Sequence, residues 1–140
     1  MIINQRGMTL VEVLVAVTVL TVGLTAIATG MQLGTSGITQ AQQETTATFL
    51  AEQKLEDIRA FALSTNGSQG FTRVTSTNFP AEDYGSVPGG YTGYRRTTTI
   101  VDPSATIKTV TVRVFYRTVA VASSGDTERE VAIATTLRQR

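Results

Sequence analysis

The sequence contains no cysteine and no histidine. Disulfides, thiol nucleophiles, the usual zinc sites and the usual general base near neutral pH are therefore all missing. Most enzyme classes go with them, and no catalytic residues, metal or cofactor are expected. The lack of cysteine leaves the compartment open, because a secreted domain can do without disulfides, but it excludes a small stapled scaffold. Charge is also scarce, at 16% of residues, with twelve basic against eleven acidic side chains and a formal net charge of +1. Such a chain is no disordered polyelectrolyte, and it has no basic footprint for nucleic acid, so no nucleic-acid partner is expected. Its 140 residues suffice for one small domain plus one long element. No G-x-x-x-x-G-K-[ST] phosphate loop is present, so any motor it works with is another protein.

What is present is apolar residues, 41% of the chain, and 25 threonines. The mean hydropathy of +0.07 points to a buried or membrane segment, and the placing of the charges locates it. After Arg6 and Glu12 no charged residue occurs until Glu44, a run of 31 uncharged positions. Within it Val13 to Leu33 reads VLVAVTVLTVGLTAIATGMQL. As a helix these residues span about 31 Å, the hydrocarbon thickness of a bilayer. An ordinary secretory signal is the alternative, with Arg6 as a thin basic region and Ala26-Ile27-Ala28 as a small-residue cleavage site. Glu12 argues against it, since a carboxylate costs about 2.5–3.5 kcal/mol near the bilayer centre and less toward an interface. One structural reason for Glu12 is a capping box, in which Thr9 caps the Glu12 amide and the Glu12 side chain reaches back to the Thr9 amide. That explains the helix start alone.

The stretch Gln5-Arg6-Gly7-Met8-Thr9-Leu10-Val11-Glu12, followed by the apolar run, resembles the class III signal of type IV pilins and pseudopilins. The resemblance implies a leader of residues 1–7 that a membrane aspartyl prepilin peptidase removes on the cytoplasmic face. The scissile bond is then Gly7–Met8, and the new terminus at Met8 is N-methylated. Met8 stands where the family usually has phenylalanine, a departure that the family tolerates. The family's assembly glutamate, five residues into the mature chain, falls on Glu12. Cleavage would create a cationic amine at Met8 near the same apolar boundary as Glu12, and two unpaired charges there are costly. Pairing between neighbouring subunits relieves both. Arg6 and the initial amine place the amino terminus in the cytoplasm by the positive-inside tendency. The rest then faces the periplasm, as a single-pass inner-membrane protein that passes into a periplasmic or cell-surface filament. The implied partners are the prepilin peptidase, other pilin or pseudopilin subunits and an inner-membrane assembly platform.

From Ile38 to about Leu63 the sequence has neither proline nor glycine and is rich in helix formers. Ala51, Leu55, Ile58 and Ala62 form one apolar stripe, and Glu52, Glu56 and Arg59 lie on another face. In the family resemblance this is the half of a long helical spine that packs on a sheet, and LAEQKLEDIR is similar to minor pilins of the PilV kind and the I-type minor pseudopilins. Between the halves sit Gly23, Gly30, Gly34 and Gly37, each costing about 0.8–1.0 kcal/mol of helix propensity relative to alanine. Gly30 to Gly34 has the G-x-x-x-G spacing that lets transmembrane helices approach. Close helix packing and local unwinding during filament assembly are both open readings of these glycines.

Residues 64–93 are dense in Gly, Ser, Asn and Pro and read as a loop region with at most one short element. Phe71, Phe79, Tyr84, Tyr91 and Tyr94 fall there or at its end, and they read as anchors on the core in preference to a receptor surface. Beyond Gly93 the period changes to two. Val110, Val112, Val114 and Tyr116 alternate with Thr111, Arg113, Phe115 and Arg117, which marks a strand with one buried face. A strand at Arg95–Val101 precedes it through a type I turn at Asp102-Pro103-Ser104-Ala105, and one at Glu128–Leu137 follows through Ser123-Ser124-Gly125-Asp126. Asp126, Glu128 and Glu130 lack the closed loop of oxygen ligands that calcium requires.

The predicted organisation is a leader at 1–7, a transmembrane and assembly helix at 8–37, an amphipathic half at 38–63, a loop region at 64–93 and an antiparallel sheet at 94–140. The fold class is α+β, a long amino-terminal helix laid on a small antiparallel sheet. The expected function is structural, a minor pilin of a type IV pilus. The competing readings are a minor pseudopilin of type II secretion, a filament-displayed adhesin using the 64–93 loop, and an ordinary secreted enzyme cleaved after Ala28.

Overall fold

A computed structural model of the chain describes residues 8–118 and 127–139. In chain order it contains α1 (Leu10–Leu63), one 3-10 turn (Phe71–Arg73), β1 (Tyr94–Ser104), β2 (Ile107–Thr118) and β3 (Thr127–Arg138). The three strands form one antiparallel sheet in the order β1-β2-β3. With the helix this makes the α+β architecture that the hydrophobic periods predict. The chain divides into two units, Met1–Thr39 and Gln40–Arg140. Among the described residues, the first holds only the beginning of α1.

The second unit has a core built by one helix stripe and one sheet face. Ala47, Leu50, Ala51, Leu55 and Ile58 are buried on α1, and Val110, Val112, Val114 and Tyr116 are buried on β2. The predicted stripe is therefore present, but it is shifted toward the amino terminus, with Ala47 and Leu50 inside and Ala62 only half-buried at its margin. The sequence masks this extension because Thr45, Thr46 and Thr48 stand among the apolar positions. Side chains as large as Leu50 and Ile58 contribute about 1.5–3 kcal/mol each when fully buried. β3 completes the same face with Val131 and Ile133 half-buried and Leu137 buried.

The 64–93 region carries the 3-10 turn and an isolated bridge from Glu82 to Arg96 of β1. Four of its five aromatic residues face inward, as the anchor reading expects, whereas Tyr84 does not join the core and bonds Glu128. Val74, Phe79 and Val87 are in the core, with Phe71, Tyr91 and Tyr94 packed against it. Phe79 meets Phe61 of α1 edge-on, with ring centroids 5.1 Å apart, an arrangement that puts the positive ring edge on a negative face. Gly89 and Gly90 both have positive φ, 89° and 82°. A Cβ on Gly89 would sit 2.9 Å from the Tyr91 ring, so glycine is needed there on both counts.

One predicted turn is placed differently. Asp102, Pro103 and Ser104 continue β1 instead of reversing the chain, Ser104 pairs with Ile107, and the reversal falls at Ala105–Thr106. Because Val101 pairs with Thr109, β1 carries one extra residue between Val101 and Ser104, a bulge. Proline is tolerated because β1 is an edge strand whose bulge needs no ladder amide there. The Asp102 carboxylate accepts a hydrogen bond from Lys108 Nζ at 2.8 Å, which gives the bulged segment a fixed partner on β2. The turn expected at Ser123–Asp126 lies outside the described residues.

Candidate functional site

Met8 and Thr9 precede the helix, and α1 starts at Leu10 with Glu12 in its first turn. The first helical bond runs from the Val13 amide to the Thr9 carbonyl at 3.2 Å. The Glu12 amide donates to Thr9 Oγ1 at 3.3 Å, so Thr9 is the N-cap. The predicted capping box is only half formed. Among the described residues the Glu12 carboxylate makes no bond back to the Thr9 amide, and it projects exposed from the helix. A cap therefore explains Thr9 and leaves the carboxylate of Glu12 without a partner among the described residues. Gly7, on the other side of the expected scissile bond, lies outside the described residues.

The segment that follows is apolar and uncovered. Its most apolar 18-residue window has a mean hydropathy of 2.4, and no residue of that window is buried. Leu10, Val11, Leu14, Val19, Leu20, Val22 and Ile27 all stand exposed along it, and in water such a surface would drive association. The threonines are compatible with a lipid setting because they satisfy themselves. Thr18, Thr21, Thr25 and Thr29 donate to the carbonyls of Leu14, Val17, Thr21 and Thr25 at 2.7–3.0 Å. Each hydroxyl is thereby paired inside its own helix, which lowers the cost of placing it in hydrocarbon. Sequence reasoning passed over this ladder, although the i, i+4 spacing of Thr21, Thr25 and Thr29 was there to be read.

Gly23, Gly30, Gly34 and Gly37 all sit inside an unbroken α1, and a Cβ built on any of them meets no atom within 4 Å. Among the described residues nothing requires glycine at these four positions. Both the packing and the unwinding readings assign the requirement to neighbours.

The globular unit holds two polar clusters that the sequence did not reveal. In the first, Glu82 accepts from Lys54 Nζ of α1 and from Arg96 Nε of β1, both at 2.6 Å. Arg96 is 3% exposed and also donates to the Leu50 carbonyl at 2.8 Å, so one ion network ties helix, loop and sheet edge together. Burial pushes the Glu82 carboxyl up, but the hydrogen bonds and charges of Arg96 and Lys54 outweigh it and hold it below its ordinary value. In the second cluster, on the sheet face away from the helix, Tyr84 donates to Glu128 Oε1 at 2.8 Å while Arg95 reaches the same carboxylate at 3.2 Å. Those bonds, with Tyr84 first, hold Glu128 below the usual carboxylate range. Desolvation and the neighbouring Glu128 raise the Tyr84 phenol. Arg95 and Arg117 stack on Phe115 and Tyr84, with guanidinium carbons 4.2 and 4.6 Å from the ring centres. Alternation alone marks Arg96 and Arg95 only as opposite-facing neighbours; their partners come from a distant loop.

Neither cluster presents an activated nucleophile. Among the described residues no group of three or more acidic, histidine or cysteine side chains could hold a metal ion, and Asp126 lies outside them. At the amino terminus the described residues present a capped helix start, a carboxylate with no partner among them and an uncovered apolar helix.

Residues 2–28 match the family model of the prokaryotic N-terminal methylation motif. No curated protein and no solved structure matches the chain. The matched residues cover the expected leader, the Gly7–Met8 bond, Glu12 and most of the apolar run. They carry the motif of the class III signal peptide of type IV pilins, the kind that a prepilin peptidase cleaves, and the similarity covers this amino-terminal stretch alone. A motif of this type implies assembly with other pilin subunits, and the apolar amino-terminal helix fits a membrane anchor.

Proposed function

We propose that this chain, which carries the class III signal peptide of type IV pilins, is a minor pilin: a structural, non-catalytic subunit of a type IV pilus. Prepilin peptidase cleaves between Gly7 and Met8, and Met8 is N-methylated. The precursor sits in the inner membrane as a single pass, amino terminus in the cytoplasm and globular unit in the periplasm. An assembly platform then lifts the mature subunit into the filament. The observation that carries this reading is the pairing of the methylation motif with a Glu12 carboxylate that finds no partner among the described residues. Once cleaved, the Met8 amine is the cation best placed to meet it, in the same chain or in a neighbour.

A minor pseudopilin of type II secretion is the second reading, favoured by the same motif and the same helix. Neighbouring genes for pilus or secretion components separate the two. An adhesin role is less supported, because Phe71, Phe79, Tyr91 and Tyr94 of the loop region pack on the core and are not displayed. The deciding experiment is mass spectrometry of the mature amino terminus together with a Gly7→Trp variant. N-methylated Met8 in the parent and uncleaved precursor in the variant are expected, since the peptidase must reach the backbone at that glycine. A terminus after Ala28, or normal processing of Gly7→Trp, overturns the assignment.

A further inference from the structure

The two edges of the sheet are finished differently. Along β1 the Arg96 amide and carbonyl are taken by Glu82 at 2.8 Å each, and further along a bulge and Pro103 interrupt the edge. Each of these devices discourages a further strand from adding. β3 has none of them. It runs for twelve residues without proline, glycine or bulge, in unbroken register with β2. Among the described residues nothing pairs with its outer side.

The register fixes which groups are open there. Since the Arg96 backbone points away from β2, alternation turns Arg95 and Thr97 toward β2, and Val112 and Val114 of β2 toward β3. Their partners Ile133 and Val131 are thereby used. Glu130, Ala132, Ala134, Thr136 and Arg138 direct their amides and carbonyls outward. The side chains of these five share the sheet face away from the helix. The middle three are small and uncharged, and the outer two are an acid and a base. Glu128 is already held by Tyr84 and Arg95, whereas Glu130 and Arg138 have no side-chain partner among the described residues.

We propose that β3 pairs antiparallel with β3 of a second copy about a two-fold axis through Ala134. In that register each Glu130 lies opposite Arg138 of the other copy, Ala132 lies opposite Thr136, and Ala134 faces itself. All five outward residues become hydrogen-bonded pairs, giving about ten main-chain bonds. On the helix side the half-buried Val131 gains Leu137 of the other copy as its neighbour. Moving the axis to Ile133 sets Glu130 against Thr136 and offers Arg138 only the occupied Glu128. Moving it to Ala132 sets Glu130 against Ala134. The charges thus select one register out of three. Gln43 of α1 bonds the Arg117 carbonyl, and Arg59 bonds Thr135, so Gln40–Leu63 runs in the direction of β3. The chain consequently enters the two paired globular units at opposite ends. If the subunits stand in filaments, a consequence that rests on the reading above, the contact joins copies on two filaments and not neighbours along one.

The parent has no cysteine, so a single introduced thiol reports on the pairing. The full chain, purified in detergent, is treated with a short thiol-to-thiol cross-linker. Ala134→Cys is expected to give a covalent homodimer at least tenfold more abundantly than Ala132→Cys or Thr99→Cys on the opposite edge. Adding Glu130→Arg to Ala134→Cys should cut the dimer about tenfold, and adding Arg138→Glu to that variant should restore it. Absence of the Ala134→Cys dimer, equal yields at Ala132 and Ala134, or indifference to the charge swap overturns the proposal. None of these outcomes depends on leader cleavage, so the pairing and the pilin reading can fail separately.

Discussion

Glu82 and Arg96 are joined twice. Their backbones exchange both amide–carbonyl bonds at 2.8 Å, and the Glu82 carboxylate accepts from Arg96 Nε at 2.6 Å. With Lys54 on the same carboxylate, this single loop residue covers the edge of β1 and fastens the 64–93 region to both α1 and the sheet. Backbone pairing fixes where the loop lies, and the ion network fixes it against the helix.

Removing Glu82 leaves a buried guanidinium with only the Leu50 carbonyl for company. Glu82→Ala should cost roughly 3–5 kcal/mol, the usual penalty for orphaning one member of a buried pair. Arg96→Met combined with Glu82→Ala should recover most of that loss. Urea denaturation of the two variants and the parent measures it, and equal midpoints for the single and double variants would show that the pair is idle.

The same carboxyl sets an acid limit. Glu82 in the folded state titrates below its ordinary value near 4.5, so its contribution is complete above that value and is lost as pH falls through the depressed one. Glu128 is shifted in the same direction, but it is exposed and contributes little. Stability should therefore be flat down to about pH 5 and decline below it. Glu82→Gln should flatten the decline, and melting temperatures between pH 3 and pH 6 test this.

The core predicts an independently folding globular unit. A fragment beginning at Thr35, soluble once the apolar span is removed, should melt in one cooperative transition. Leu55 is 6% exposed between α1 and the sheet, so Leu55→Ala should destabilise that fragment by roughly 2–5 kcal/mol once the cavity is counted. A fragment without a melting transition would contradict this architecture.

Glu12 separates a cap from an assembly charge. The cap observed is the Thr9 hydroxyl on the Glu12 amide, and it survives any side chain at position 12. Glu12→Gln should therefore insert and be cleaved normally. It should nonetheless be recruited poorly into sheared filaments, because the Met8 amine loses its carboxylate. Wild-type amounts of Glu12→Gln in purified filaments would reduce Glu12 to a helix-start residue.

The amino-terminal features were legible because they depend on local order alone. A run of 31 uncharged positions, a glycine before Met8 and a glutamate four residues beyond Met8 need no tertiary partner to be recognised. Alternation of Val110, Val112, Val114 and Tyr116 likewise identified the buried face of β2, since the strand period fixes it without knowledge of its neighbours. Threonine back-bonding in α1 was equally local and equally available from the i, i+4 spacing.

The sequence by itself determined the processing motif, the apolar span, the α+β class and the inward face of the central strand. Periodicity and short motifs carry all four. Tertiary structure alone decided that Arg96 of β1 and Lys108 of β2 lie buried, that Asp102 and Pro103 extend β1 through a bulge, and that no described strand pairs with the outer side of β3. Each of these turns on a partner that the fold brings up or on a strand's place in the sheet: Glu82 for Arg96, Asp102 for Lys108, the edge position for Pro103 and for β3 among the described residues. A charged side chain becomes worth burying only when such a partner supplies what water would have given.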